Sequence, residues 1–194
     1  MRSKLGPPGL IIIGSSTGGP DALRTVLANI NLAAAVIVVQ HMPAFINESL
    51  RQTIERISGM PCILPESMER INSGTIYLAP SDVHLKLQGN RVVHLEPGPN
   101  VNYVCPAADV TMQSLKKDVH HMRLAGVVLT GMGKDGANGI SHIKSLGGLT
   151  IAQAPKTCSV DAMPTYAIET GNVDHVLKLD QIRLKLINEF SAST

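Results

Sequence analysis

With 194 residues, 44% hydrophobic and 16% charged, the chain has the length and composition of one globular domain with a sizeable core, built from Val, Ile, Leu, Met and Ala because only 3% is aromatic. The net charge of +2 comes from scattered Lys and Arg without interleaved aromatics, which argues against a nucleic-acid surface, and no apolar stretch reaches the ~20 residues of a membrane helix. The three cysteines, Cys62, Cys105 and Cys158, are odd in number and far apart; they make neither a disulfide framework nor a zinc pattern and suit a reducing, cytoplasmic setting.

Residues 1–9 read as a disordered lead-in or a linker remnant, and 10–194 as a single domain. Leu10–Ile13 reads as a buried strand. Pro20 to Ile30 reads as a helix, with Pro20 in its first turn and Asp21 near its positive end. Ala35–Gln40 is a second buried strand, and Ile46–Ile57 carries apolar positions at helical spacing. Thr75–Ala79, His84–Gln88 and Arg91–Glu96 are short strand-like runs, the last two joined at Gly89-Asn90 as a hairpin. His120-His121 reads as the exposed end of a helix. Val127–Thr130 is a strand, Gly136–Leu146 a helix and Leu149–Gln153 a strand. Pro164–Glu169 and Asp180–Phe190 are helices. Apolar strands alternating with helices predict an α/β fold: a doubly wound, mostly parallel sheet with helices on both faces and an antiparallel hairpin insert.

In such a sheet, ligands bind beyond the carboxyl ends of the strands. Three polar loops fall there: Gly14–Gly19, Gln40–Pro43 and Gly131–Gly139. The first has two readings. A phosphate loop needs encircling N–H groups and usually a lysine, which GSSTGG lacks; a dinucleotide site wants an acidic residue where Gln40-His41 stands. GSSTG does fit G-x-S-x-G, a turn that exposes Ser16 as a nucleophile. His41 is either a structural histidine or the base such a serine requires. Asp135 either caps the helix that follows it or orients an imidazole. Glycines around it would let backbone N–H groups, such as that of Met132, reach a reacting carbonyl.

Taken together, IGSSTGGP, QHMP, GTIYLAPSDVHL, LTGMGKDGANG and Ala162-Met163-Pro164 resemble, in order and over nearly the whole chain, the catalytic domain of the bacterial chemotaxis protein-glutamate methylesterase family, CheB. The resemblance implies a serine hydrolase with Ser16 as nucleophile, His41 as base, Asp135 as its orienting acid, and an oxyanion site at Met132 and Thr17. It implies methyl-ester hydrolysis on receptor glutamates, releasing methanol, and deamidation of receptor glutamines, with no metal or cofactor. The implied partners are the cytoplasmic helices of methyl-accepting chemotaxis receptors and, in a longer chain, a receiver domain. Two segments depart from the family pattern. Cys105-Pro106-Ala107-Ala108-Asp109 lacks the usual arginine and serine, and Asp161-Ala162 replaces an aromatic residue and a glycine before Met-Pro. These departures motivate a competing reading, a methylesterase-like module that binds a receptor or signalling partner without chemistry.

Overall fold

The computed structural model describes residues 9–117 and 122–191. Residues 1–8 of the expected lead-in and the His120-His121 pair lie outside them, while Gly9, its last residue, opens a buried strand.

Seven strands form one parallel sheet in the order β3-β4-β2-β1-β7-β8-β9. β1 (Gly9–Ser15) is central, flanked by β2 (Ala35–Gln40) and β7 (Arg123–Val128). Beyond β2 lie β4 (Ile76–Leu78) and the edge strand β3 (Cys62–Ile63); beyond β7 lie β8 (Leu149–Gln153) and β9 (His175–Leu177). Every residue of β1 and β2 is buried. That follows from coverage on both sides, since side chains alternate between faces and both faces then demand apolar residues.

The alternation divides the core in two. Ile11, Ile13, Val36 and Val38 face one layer, where they meet Leu23 and Val26 of α1 (Gly19–Val26), Leu50 and Ile54 of α2 (Asn47–Ser58), and Ile182 and Leu186 of α6 (Leu179–Phe190). Leu10, Ile12, Ile37 and Val39 face the other. There they meet Met112 of α3 (Ala108–Gln113), Ile143 of α4 (Ala137–Ser145), and Leu85, Leu87 and Val93 of the hairpin β5–β6 (His84–Gln88, Val92–Glu96). α5 (Ala162–Glu169) packs beside α4 through Met163 and Ala167. Each fully buried Ile or Leu contributes roughly 1.5–3 kcal/mol through removal from water.

The doubly wound sheet and the hairpin insert agree with the sequence expectation. The hairpin turns at Gly89 and Asn90, both at positive φ (56° and 58°), a conformation those two residue types tolerate best. Several elements differ in detail. Thr75–Ala79 is not part of the antiparallel region: Val36, Ile37 and Val38 pair in parallel with Ile76, Tyr77 and Leu78, so β4 belongs to the main sheet. α1 ends at Val26, four residues before Ile30. β7 starts earlier than expected, at Arg123. Its last two expected residues stay tied to β1 outside the ladder proper, through Leu129 N to Gly14 O (2.9 Å) and Ser16 N to Thr130 O (3.0 Å). The edge strands β3 and β9 and the helix α3 were not foreseen.

Candidate active site

The register of the sheet brings the three loops together. Ser15 pairs with Gln40 across β1 and β2, so the next residues, Ser16 and His41, leave the sheet side by side. Gln40 clamps that exit. Its buried amide accepts from Ser15 Oγ (2.7 Å) and donates to Ser16 O (2.9 Å) and His41 O (2.8 Å), and His41 N donates to Ser15 O (3.0 Å). On the other side Ser16 N donates to Thr130 O, two residues beyond the end of β7 (3.0 Å). Gly131 then passes so close that a Cβ there would lie 2.6 Å from Ser16 Cβ and 2.3 Å from Met163 Sδ. Only glycine allows that approach.

His41 and Asp135 are joined directly, Nε2 to Oδ2 at 2.8 Å, with side chains only 8% and 2% exposed. The carboxylate accepts the Nε2 proton, which leaves Nδ1 as the acceptor nitrogen of the ring. Nδ1 is buried and has no hydrogen-bond partner among the described residues. Ser16 is half-buried at the adjoining strand end, and no hydrogen bond joins it to His41 in this structure. Such bonds commonly tighten only when substrate is bound.

Asp135 does cap a helix, but not the one that follows it. α4 starts from Gly136, and its opening N–H groups at Gly136 and Gly139 go to Asp109, not to Asp135. The Asp135 carboxylate instead receives Ala108 N (2.6 Å) and Asp109 N (3.0 Å) at the first turn of α3. The cap and the bond to His41, weighed as alternatives in the sequence, coexist on its oxygens: Oδ2 takes part in both and Oδ1 in the cap.

Thr17 and Met132 are both exposed on the flanking loops, Met132 by 69%. Thr130 holds the two loops together, its hydroxyl 2.9 Å from Thr17 O and accepting from Val160 N (3.0 Å). A cavity of about 330 Å³ opens beside His41, lined also by Met42, Asp82, Tyr103 and Cys105. Both segments that depart from the family pattern border the site. Cys105 lines this cavity, and Asp161-Ala162 leads into Met163, whose N–H bonds Gly131 O (3.0 Å).

Residues 11–186 match the family model for the CheB methylesterase. The chain belongs to the CheB methylesterase family. The crystal structure of the Thermotoga maritima CheB methylesterase catalytic domain superimposes with a TM-score of 0.85 at 37% identity, covering 95% of this chain and 98% of that one. Among curated relatives, the protein-glutamate methylesterase/protein-glutamine glutaminase of Symbiobacterium thermophilum is 38% identical over 91% of this chain and 49% of its own length. The protein of the same name from Salmonella typhimurium is 39% identical over 94% of this chain and 53% of its own. The chain thus spans about half the length of these curated relatives.

Two features of this CheB-family site escaped the sequence reading. One is Gln40, read as the end of a strand and the start of a polar loop but given no role at the site; its pairing opposite Ser15 could have been found from strand register alone. The other is Asp109, 2% exposed directly behind Asp135. Two of its partners, Gly136 and Gly139, lie about thirty residues downstream, and no local pattern announces them. The cysteines are poor alternatives to Ser16. Burial pushes Cys158 up to about 11 and Cys62 up to about 12, and it raises Cys105 as well. All three thus remain protonated, un-nucleophilic thiols near neutrality.

Proposed function

We propose that this domain hydrolyses methyl esters of glutamate side chains on the cytoplasmic helices of chemotaxis receptors. The observation that carries the reading is the buried His41–Asp135 pair, with an open Nδ1 at the strand end that bears Ser16. Ser16 Oγ attacks the ester carbonyl while His41 Nδ1 takes its proton, and Asp135 stabilises the resulting imidazolium. The oxyanion is received on the flanking loops, with the Met132 N–H and Thr17 as the proposed donors. Collapse of the tetrahedral intermediate expels methoxide, protonated by His41 to methanol. Water, deprotonated by the same nitrogen, then releases the glutamate carboxylate and frees Ser16. A receptor glutamine would follow the same path with ammonia as leaving group, and the curated relatives carry both activities in their names.

The test is methanol release from a methylated receptor cytoplasmic fragment. The wild type is expected to release methanol, and Ser16→Ala to lose at least about 10³-fold in kcat, in keeping with loss of a triad member. Undiminished turnover by Ser16→Ala would remove Ser16 from the chemistry. Binding of the fragment without any methanol release would instead favour the docking module suggested by the altered Cys105–Ala108 segment.

A further inference from the structure

Two carboxylates stand behind His41. Asp135 receives the first-turn N–H groups of α3, at Ala108 and Asp109. Asp109 returns the arrangement. Its Oδ1 accepts from Gly136 N (3.0 Å) and Gly139 N (2.7 Å) at the start of α4, and its Oδ2 accepts from Asn102 Nδ2 (2.8 Å). Each aspartate therefore holds the opening turn of the helix adjoining the other. The glycines make this possible. Gly136 sits at φ +94°, and a Cβ on Gly139 would lie 3.2 Å from Asp109 Oδ1 and 2.6 Å from Met112 Sδ.

The arrangement is costly for stability alone. Neither carboxylate is paired with a lysine or arginine among the described residues. Burial raises the Asp109 carboxyl above the usual range, and the nearby Asp135 charge raises it further. What the network supplies besides caps is a fixed place for Asp135, whose Oδ2 meets both Ala108 N and His41 Nε2.

We infer that Asp109 is a positioning residue for ester hydrolysis. By fixing the backbone of Gly136, the residue after Asp135, and by carrying on its own N–H one of the bonds to Asp135, it sets the aim of that carboxylate at His41 Nε2. The inference rests on Asp135 being the acid that orients His41. The ionisable groups facing this network are Asp135 and His41, with Asp82, Tyr103 and Cys105 across the adjoining cavity and the exposed Lys134 on the same loop.

The experiment compares wild type, Asp109→Ala, Asp109→Asn and Asp135→Ala in methanol release from the methylated receptor fragment, with kcat and KM separated and kcat/KM followed against pH. Asp109→Ala is expected to lower kcat by about 10- to 100-fold with KM unchanged, the size of effect that follows small misplacement of a catalytic group. The acid limb of its pH profile should move to lower pH, because the imidazolium loses part of its carboxylate support. Asp109→Asn keeps an acceptor oxygen for Gly136 and Gly139 and should recover most of the lost kcat. Wild-type kcat and acid limb in Asp109→Ala, alongside collapse of Asp135→Ala, would overturn the role of Asp109 while leaving the triad intact. Undiminished activity in Asp135→Ala would instead remove the reading on which the inference rests. Should Asp109→Ala fail to fold, Asn102→Ala carries the test. It frees one Asp109 oxygen and should cost several-fold in kcat at constant KM; wild-type kinetics there would overturn the inference.

Discussion

In the proposed mechanism the imidazole of His41 uses its nitrogens in a defined order. Nε2 is committed to Asp135, so only Nδ1, the nitrogen nearer the backbone, is left for Ser16. The short reach of Nδ1 explains why the backbone is clamped so heavily at this point, with Gln40 and Ser15 fixing the His41 main chain from both sides. The thiols lie at the opposite extreme of reactivity. With Cys158 raised from 9.0 to about 11 by burial, its thiolate fraction at neutral pH falls by about 100-fold. Alkylation of Cys158 by iodoacetamide should therefore be about 100-fold slower in the folded protein than in urea, measured by peptide mass spectrometry, and should accelerate as pH rises toward 11. Cys158→Ser should leave methanol release intact. Ready alkylation at pH 7 would contradict the burial of this thiol.

Among the elements, the glycine loop after β7 has the tightest tolerance. Gly131→Ala would drive a methyl group against Met163 Sδ and Ser16 Cβ. Methionine can yield, but the Ser16 backbone is held by Thr130 O and Gln40 and cannot. The expected cost is about 1–3 kcal/mol of stability by overpacking, with a loss of about 10²-fold in kcat as Ser16 shifts. Chemical denaturation and methanol release measure the two separately, and a variant with wild-type kcat would show that the loop gives way instead of Ser16. Much of this level was legible beforehand. Ser16, His41 and Asp135 each follow an apolar strand, and strand ends converge in a parallel sheet. Elements whose identity depends on distant partners were not legible. β3 and β9 are edge strands of two and three residues, too short for any periodicity. α3 is six residues long and owes its first turn to a carboxylate 26 and 27 residues further along the chain. Thr75–Ala79 read correctly as a strand, but its neighbour and direction are set by β2, which local pattern does not reveal.

For the molecule as a whole, strand order decides where chemistry can occur. From β1 the chain builds one side first, passing from β2 to the edge strand β3 and back to β4 between them, and then the other through β7, β8 and β9, so the loops after β1 and β7 part at one edge. Ser16 stands at that parting, His41 is delivered from the first half of the winding and Asp135 from the second. The fold therefore assembles its site only when both halves have docked. The exchanged aspartates carry this into dynamics. α3 follows the hairpin in the first half and α4 follows β7 in the second, yet neither opening turn can fray without releasing the carboxylate that closes the other. The amide protons of Asp109 and Gly139 should accordingly exchange with deuterium at one shared rate, as a single cooperative opening spanning two distant stretches of sequence. The 3₁₀ turn at Ala44–Ile46, none of whose residues is buried, should exchange much sooner.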